Sequence, residues 1–147
     1  MKLHLPYKLL IISVVYSLVV SYFIFGKGIY NISIIIIALI FVFSGIVIGF
    51  WVKEIIRNHK TTLNPYGKPT TLITSGPFKF SRNPMYASYL LVALGFAIYS
   101  GTWIGFIGPV LYFLYLNFRI IPTEEQKLKE AFSTDYEIYF KKVRRWL

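Results

Sequence analysis

The sequence of 147 residues contains no cysteine and only six acidic residues. The absence of cysteine excludes disulfide bonds, a thiol nucleophile and a cysteine-ligated metal site, and we expect no metal ion. Charged residues are 15% of the chain, whereas hydrophobic residues are 56%, against about 45–50% in an ordinary soluble domain. Such a chain is too apolar to be disordered, and a single soluble core of this size cannot bury so much apolar surface.

Charge is missing altogether from three stretches, residues 9–25, 29–52 and 84–118. A helix needs roughly 20 apolar residues to cross a hydrocarbon core of about 30 Å. The third stretch is too long for one span and is interrupted by Ser100-Gly101-Thr102, so it predicts a hairpin of two short helices. The sequence therefore predicts an all-α integral membrane protein, one domain over residues 1–147, with four transmembrane helices at about 8–25, 29–52, 84–99 and 103–120.

The positive charges lie on one side of this predicted topology. The chain has 16 Lys and Arg residues and a net charge of +10. All of the Lys and Arg residues except Lys27 precede the first helix, lie in the loop 53–83 or follow the fourth helix. Since positively charged loops stay in the cytoplasm, we expect a multi-pass protein with both termini and this loop cytoplasmic. The topology already explains the charge, so no nucleic-acid partner is expected.

The first candidate site is a motif directly before the third helix, Gly76-Pro77-Phe78-Lys79-Phe80-Ser81-Arg82-Asn83-Pro84-Met85-Tyr86. Gly-Pro predicts a tight turn, and Asn83 before Pro84 predicts a helix N-cap with proline in the first turn. Arg82 beside the positive end of a helix suits a carboxylate or phosphate. A basic residue at the membrane surface before an ordinary helix explains the same pattern, and Tyr86 fits an interface aromatic or a pocket hydroxyl.

The second candidate site follows the fourth helix. Pro122 predicts the end of that helix, and Thr123 with Gln126 matches a capping box. Glu124 and Glu125, in the first turn of the next helix, suit the helix dipole without any further function. Alternatively, one of them accepts hydrogen bonds from an ammonium group or from ribose hydroxyls of a ligand.

Apolar side chains then recur every three or four residues, which predicts an amphipathic helix over 124–143. With Lys and Arg along its edges, we expect this helix to lie on the anionic lipids of the inner leaflet. The apolar side chains of this pattern are Leu128, Phe132, Tyr136, Tyr139, Val143 and Trp146.

Two non-enzymatic functions fit parts of the sequence. A small multidrug-type transporter fits the length, but the charge-free stretches within the predicted spans contain no Asp, Glu, Lys, Arg or His of the kind that ion coupling needs. A non-catalytic helix-packing or lipid-binding protein is the other alternative. Gly45 and Gly49 form a small-residue pair that suits close helix packing, either within one chain or in a homodimer.

The two motifs, in this order and spacing, resemble the isoprenylcysteine carboxyl methyltransferase family, which belongs to a broader group that includes phospholipid methyltransferases. Three positions depart from the family pattern: Asn83 replaces a histidine, Ser133 a glycine and Arg144 a proline. Asparagine can hydrogen-bond, but it is neither a titrating base nor a cation. The similarity covers about residues 70–143, in residues 72–78, Arg82-Asn83-Pro84-Met85-Tyr86, Glu124-Glu125 and residues 128–139.

The resemblance implies methyl transfer from S-adenosylmethionine, with S-adenosylhomocysteine as the product, to a lipophilic acceptor drawn from the bilayer. It favours a carboxylate of the isoprenylcysteine type at the cytoplasmic face, and leaves a phospholipid amine and a small thiol as alternatives. The residues that it implies for cofactor binding are Leu72, Gly76, Pro77, Phe78, Asn83, Tyr86, Glu124 and Glu125. The residues that it implies for catalysis are Arg82 and Glu125.

Methyl transfer needs little acid–base chemistry, because the sulfonium is already a good electrophile. The protein mainly positions the two reactants and shields them from water. An amine acceptor would need a base to take its proton, and the candidates for that base are Glu124 and Glu125. The small number of ionisable groups therefore favours an acceptor that is already an anion.

Overall fold

A computed structural model describes residues 5–25, 31–59 and 71–146 of the chain. Every regular element in these residues is helical, which confirms the predicted all-α class. Lys27 and residues 60–70 of the predicted loop lie outside the described residues. The elements are α1 (Leu5–Phe25), α2 (Ile32–Asn58), a 3₁₀ turn (Gly76–Lys79), α3 (Pro84–Tyr99), a second 3₁₀ turn (Ile104–Phe106), α4 (Ile107–Tyr115), a π turn (Leu116–Ile120) and α5 (Ile121–Lys142).

The first four helices alternate in direction, so the start of α1, the end of α2, the start of α3 and the end of α4 meet at one end. Small residues allow α1 and the turn before α4 to approach closely. The Ser17 hydroxyl, buried in this contact, donates to the carbonyl of Gly105 at 3.0 Å. At the other end of α1, Leu9 packs against the buried side chains of Tyr112 and Leu116 on α4 and the π turn.

Within the part of the chain that the structure describes, three helical segments are long and apolar enough to cross a membrane: Leu5–Phe23, Ile32–Asn58 and Ile104–Lys142. Helix α3 is also apolar, but it has only 16 residues. Large apolar side chains on α2 face outward, with Phe43 70% and Phe50 68% exposed. Surfaces of this kind are unfavourable in water and suit a lipid environment. The predicted count of four spans stays a prediction, because α3 is shorter than a typical span.

Helix α2 extends beyond its predicted end at Val52 to Asn58. The buried positions Val52 and Ile56 continue the apolar face into this added turn and pack against Ile73. The charged residues of the same turn lie on the exposed face, where Arg57 pairs with Glu54 at 2.7 Å. The sequence placed the boundary at the first charged residue, although the buried face of the helix continues past it.

The prediction that Pro122 ends the fourth helix is wrong. Helix α4 passes through the π turn directly into α5, with Pro122 in the first turn of α5. Proline lacks an N–H group and crowds the carbonyl four residues before it, and the wider π turn accommodates both effects. The predicted capping box does not form either, because the Thr123 hydroxyl donates to the Arg119 carbonyl at 3.0 Å and the Gln126 amide to Glu130 at 3.0 Å.

Gly45 and Gly49 pack α2 against α3 within the chain. A Cβ atom on Gly45 would lie 2.6 Å from the Ser88 carbonyl oxygen and 2.8 Å from a methyl carbon of Val92. A Cβ atom on Gly49 would lie 3.2 Å from the Ser88 hydroxyl, which is a longer contact and one with a side chain rather than with backbone. The small-residue pair that the sequence offered for helix packing is therefore used between these two helices.

Gly45→Ala is expected to lower the free energy of unfolding by about 1–3 kcal/mol, because the added methyl group would overpack against backbone. Gly49→Ala is the matched control, and we expect it to change stability by less than about 1 kcal/mol, since alanine also favours the helix. Thermal and denaturant unfolding in detergent micelles would measure both. Equal effects of the two substitutions would contradict this account of the α2–α3 contact.

Helix α5 bends at Ser133, whose backbone angles are φ 40° and ψ −111°. A residue other than glycine rarely adopts a positive φ, and holding it there costs of order 1–3 kcal/mol. The family that this sequence resembles has a glycine at the same position. The bend directs the second part of α5, with the buried Tyr136 and Tyr139, back towards the start of α3.

Ser133→Gly is expected to raise the free energy of unfolding by about 1 kcal/mol, because glycine tolerates this backbone conformation. Ala131→Gly, two residues earlier at an exposed position in the same helix, is expected to lower it by about 1 kcal/mol. Opposite shifts in the unfolding midpoint are the measured signature. A destabilising effect of Ser133→Gly would show that the bend is not strained.

Candidate functional site

Five of the residues predicted for a site meet at one end of the helices, where α3 begins and α4 continues into α5. Arg82 and Asn83 come directly before α3, and Tyr86 lies in its first turn. Glu124 and Glu125 lie in the first turns of α5, on the same side. The two sequence motifs therefore meet and contact each other at this end.

Tyr86 and Glu124 form the first contact across this site. The Tyr86 hydroxyl donates to Glu124 Oε1 at 2.5 Å, and the Tyr86 ring is buried against Leu116 and Ile121. Burial raises the pKa of the Glu124 carboxyl to about 7, although the Tyr86 hydrogen bond and the charge of Lys127 oppose the rise. Glu124 is therefore close to half-ionised at neutral pH, unlike an exposed glutamate.

Glu125 is held between two arginines. Arg82 Nη2 lies 3.1 Å from Glu125 Oε1, and Arg145 Nη2 lies 2.5 Å from Oε2. A third contact, from Arg145 Nε to Oε1, measures 3.2 Å. The exposed fractions of these side chains are 8% for Arg82, 11% for Glu125 and 31% for Arg145. Two guanidinium groups thus share one carboxylate, and the cluster carries one surplus positive charge in a largely buried place.

Arg82 is fixed in orientation and still has one unused donor. Its guanidinium carbon lies 3.7 Å from the centre of the Phe140 ring, and Nη1 donates to the Phe140 carbonyl at 3.3 Å. The Arg82 Nε–H group is buried and, among the described residues, has no hydrogen-bond partner. A buried cationic donor without a partner is unfavourable, so it favours an anionic ligand at this point.

Residues 143–146, which we call the return segment, follow α5 and lie against the start of α3. The Arg144 carbonyl accepts from the Arg82 backbone N–H at 2.9 Å. The Arg145 carbonyl accepts from the Ser81 hydroxyl at 3.2 Å and from the Asn83 amide at 3.0 Å. The prediction that Asn83 is the N-cap residue of α3, with proline in the first turn, is confirmed, but the Asn83 side chain makes no capping hydrogen bond to this helix. Its amide binds the return segment instead.

The return segment is also attached to the π turn through Asn117. The Trp146 indole N–H donates to Asn117 Oδ1 at 3.0 Å, and its ring lies 5.0 Å from that of Phe113. Arg145 Nη1 reaches the same Oδ1 at 3.3 Å. Sequence reasoning placed Trp146 on the apolar face of an interfacial helix and missed Arg145 and Asn117. The sequence feature that could have indicated these contacts is an arginine followed by a tryptophan just beyond the predicted helix end.

The turn Gly76–Lys79 lies beside this cluster, between the end of α2 and α5. Gly76 has a positive φ of 58°, and a Cβ atom there would collide with the Ile55 side chain. Phe78 packs at the end of α2, and its carbonyl accepts from the Tyr139 hydroxyl at 2.8 Å. Leu72 is half-buried and Pro77 is buried. A role of these residues in cofactor binding stays a prediction.

The described residues form an apolar helical scaffold with a largely buried charged cluster at one end, which is typical of a membrane protein. The family model for phospholipid methyltransferase matches residues 33–135, which include both motifs. The chain therefore belongs to the phospholipid methyltransferase family, in the same group of membrane methyltransferases as the isoprenylcysteine carboxyl methyltransferases. The resemblance predicted from the motifs is confirmed.

The chain is also similar to a curated protein whose printed name gives no function. An uncharacterized protein of Haemophilus influenzae is 36% identical over 63 residues, which cover 43% of this chain and 100% of the relative. No solved structure matches the chain. Family membership implies that the protein is a methyltransferase associated with membranes.

Proposed function

We propose that the protein transfers the methyl group of S-adenosylmethionine to a lipophilic acceptor at the cytoplasmic face of a membrane. The observation that supports this best is the pairing of a cationic and an anionic site within one cluster. Arg82 presents a buried Nε–H group that has no partner in the described parts of the chain, and Glu124 presents a carboxyl group hydrogen-bonded to Tyr86. A ligand that carries both a carboxylate and positive charge matches this pair.

The residues present fit S-adenosylmethionine. This cofactor has a carboxylate, an ammonium group and ribose hydroxyls, and when bound it supplies a methyl group on a positively charged sulfur. Arg82 would hold the carboxylate through its unused donor, and Glu124 would accept hydrogen bonds from the ammonium or the ribose. Glu125 is occupied by two arginines, so its part is to fix Arg82 in place.

For the acceptor, the surplus positive charge of the Arg82–Glu125–Arg145 cluster supports a carboxylate of the isoprenylcysteine type. Such an acceptor is already an anion and needs no base. A phospholipid amine is a second candidate, supported by a different observation: burial raises the pKa of Glu124 to about 7. A carboxylate with that pKa is suited to take a proton from an amine near neutral pH.

We also propose that the chain crosses the membrane four times, with α3 as a short span, and that both termini lie on the cytoplasmic side. At 1.5 Å per residue, 16 residues of α3 extend about 24 Å, less than a hydrocarbon core of about 30 Å. A short span is accommodated by local thinning of the bilayer. Helix α5 carries Lys141 and Lys142 in its last turn, which supports contact with anionic lipids.

Binding of S-adenosylmethionine and S-adenosylhomocysteine to the purified protein in lipid nanodiscs, measured by calorimetry, tests the cofactor. We expect wild type to bind, and Glu124→Ala and Asn83→Ala to bind at least tenfold more weakly. Glu137→Ala, at an exposed position of α5, is the matched control and is expected to bind as wild type does. No binding by wild type would favour a non-catalytic membrane protein, and unchanged binding by Glu124→Ala would contradict the role of Glu124.

Transfer of a radiolabelled methyl group then separates the acceptors. The two substrates to compare are a prenylated cysteine derivative with a free carboxylate and vesicles of phosphatidylethanolamine. Label in a base-labile ester supports the carboxylate acceptor, and label in a stable methylamine supports the phospholipid. Label in neither, with cofactor binding intact, would contradict both acceptors.

A further inference from the structure

The return segment contacts both halves of the site, although it lies outside the residues that the family model matches. Its backbone binds the stretch before α3, through the carbonyls of Arg144 and Arg145. The Arg145 side chain binds α5 and the π turn, through Glu125 and Asn117. Arg145 thus contacts both the stretch before α3 and the start of α5.

The contacts of Arg145 give Glu124 and Glu125 different surroundings. Both oxygens of Glu125 are occupied, Oε1 by Arg82 and Arg145 Nε, and Oε2 by Arg145 Nη2. Glu124, one residue earlier, contacts Tyr86 and neither arginine. With Glu125 anchored by Arg145, Glu124 is the carboxylate left to face a ligand.

The same residue also sets the position of Arg82 and Asn83. The Asn83 amide is held by the Arg145 carbonyl at 3.0 Å, and the Arg82 guanidinium is held by the carboxylate that Arg145 shares. If the Arg145 side chain were lost, Glu125 would keep one partner instead of two, and the return segment would lose its guanidinium link to α5, although the Arg145 carbonyl that holds Asn83 would remain. The binding groups would then no longer be prearranged.

We propose that Arg145 is a positioning residue of the methyl-transfer site, which holds Glu125, Arg82 and Asn83 in the arrangement that binds the cofactor. The proposal rests on the proposed function, because the bound ligand is S-adenosylmethionine. The guanidinium acts through Glu125 and does not itself touch the ligand. The return segment would then line one side of the site, in addition to following the end of α5.

The chain offers a matched pair of arginines for the test. Arg144 and Arg145 are adjacent, but Arg144 is exposed, whereas the Arg145 side chain is 31% exposed and paired. We expect Arg145→Ala to raise the dissociation constant for S-adenosylmethionine by about 10- to 100-fold, as for loss of a charge-assisted hydrogen bond. Arg144→Ala is expected to stay within about twofold of wild type, because its carbonyl, which bonds Arg82, is unchanged.

Rescue experiments distinguish a positioning role of the Arg145 side chain from a contribution to the stability of the fold alone. Guanidinium ion, added far below denaturing concentrations, should restore much of the affinity of Arg145→Ala and leave wild type and Arg144→Ala unchanged. Arg145→Lys should fall between wild type and Arg145→Ala, since it keeps the charge but loses the planar fork. All binding is measured well below each variant's melting temperature, so that a lower melting temperature alone does not change the dissociation constant.

The outcomes separate this proposal from the one on which it rests. If wild type binds the cofactor and Arg145→Ala binds equally well, the positioning role is overturned and the proposed function stands. A loss of affinity that guanidinium does not restore also overturns it. If wild type does not bind at all, the proposed function fails and this proposal fails with it.

Discussion

Glu125→Ala is expected to lower the free energy of unfolding by about 3–5 kcal/mol, the range for removal of one partner from a buried ion pair. The substitution would leave the guanidinium groups of Arg82 and Arg145 close together without the carboxylate that they share. Arg82 is only 8% exposed, so water cannot readily replace the lost partner. Thermal and denaturant unfolding in detergent micelles measure the loss.

Two variants control this prediction. Glu137→Ala removes an exposed carboxylate that pairs with Lys129 and is expected to cost less than about 1 kcal/mol. Combining Glu125→Ala with Arg145→Met removes one of the two unpaired cations, so the double variant should recover part of the stability. A cost for Glu125→Ala no larger than that for Glu137→Ala would mean that the cluster does not stabilise the fold.

Affinity for S-adenosylmethionine is expected to rise about tenfold per pH unit up to pH 7 and then to level off. Burial raises the pKa of Glu124 to about 7, so below that pH the carboxyl is mostly protonated in the free protein. A cationic ligand favours the ionised carboxylate, and binding must therefore release a proton at low pH. Above pH 7 the carboxylate is already ionised, and the affinity no longer depends on this group.

Calorimetry in two buffers of different ionisation enthalpy would measure the released proton directly. Tyr86→Phe removes a hydrogen bond that lowers the pKa of Glu124, so its profile should level off at higher pH. Glu124→Gln cannot ionise and should give a flat and weaker profile. A flat profile in wild type, with no proton released at pH 6, would contradict the role of Glu124 in holding the cation.

The sequence allowed the helical fold and the pairing of the two motifs to be predicted, because both depend on local pattern and family resemblance. Charge-free runs long enough for a membrane identify helices whatever their tertiary contacts. Arg82, Tyr86 and Glu124 were identified from motifs with a chemical interpretation, and the structure brings them together. What each of these residues binds in the cofactor was implied by the resemblance and stays a proposal.

The contacts that sequence reasoning missed or misassigned are those in which a tertiary partner prevails over a local rule. A proline normally ends a helix, but here the π turn accommodates Pro122. The side chain of an asparagine before a helix normally caps that helix. The Asn83 amide instead binds the carbonyl of Arg145, 62 residues further along the chain. Arg145 resembles its neighbours Arg144 and Lys142 in sequence, and only the fold places it beside Glu125.

The uninterrupted path from α4 through the π turn into α5 has a mechanical consequence. Because no loop separates Ile107 from Glu124, the depth at which the apolar side of this helix sits in a bilayer also sets the height of the carboxylates above the hydrocarbon. A thicker or thinner bilayer must tilt the helix or move the carboxylates relative to the lipid head groups. Under the proposed function, bilayer thickness would thereby set the distance between the proposed cofactor site and an acceptor held in the membrane.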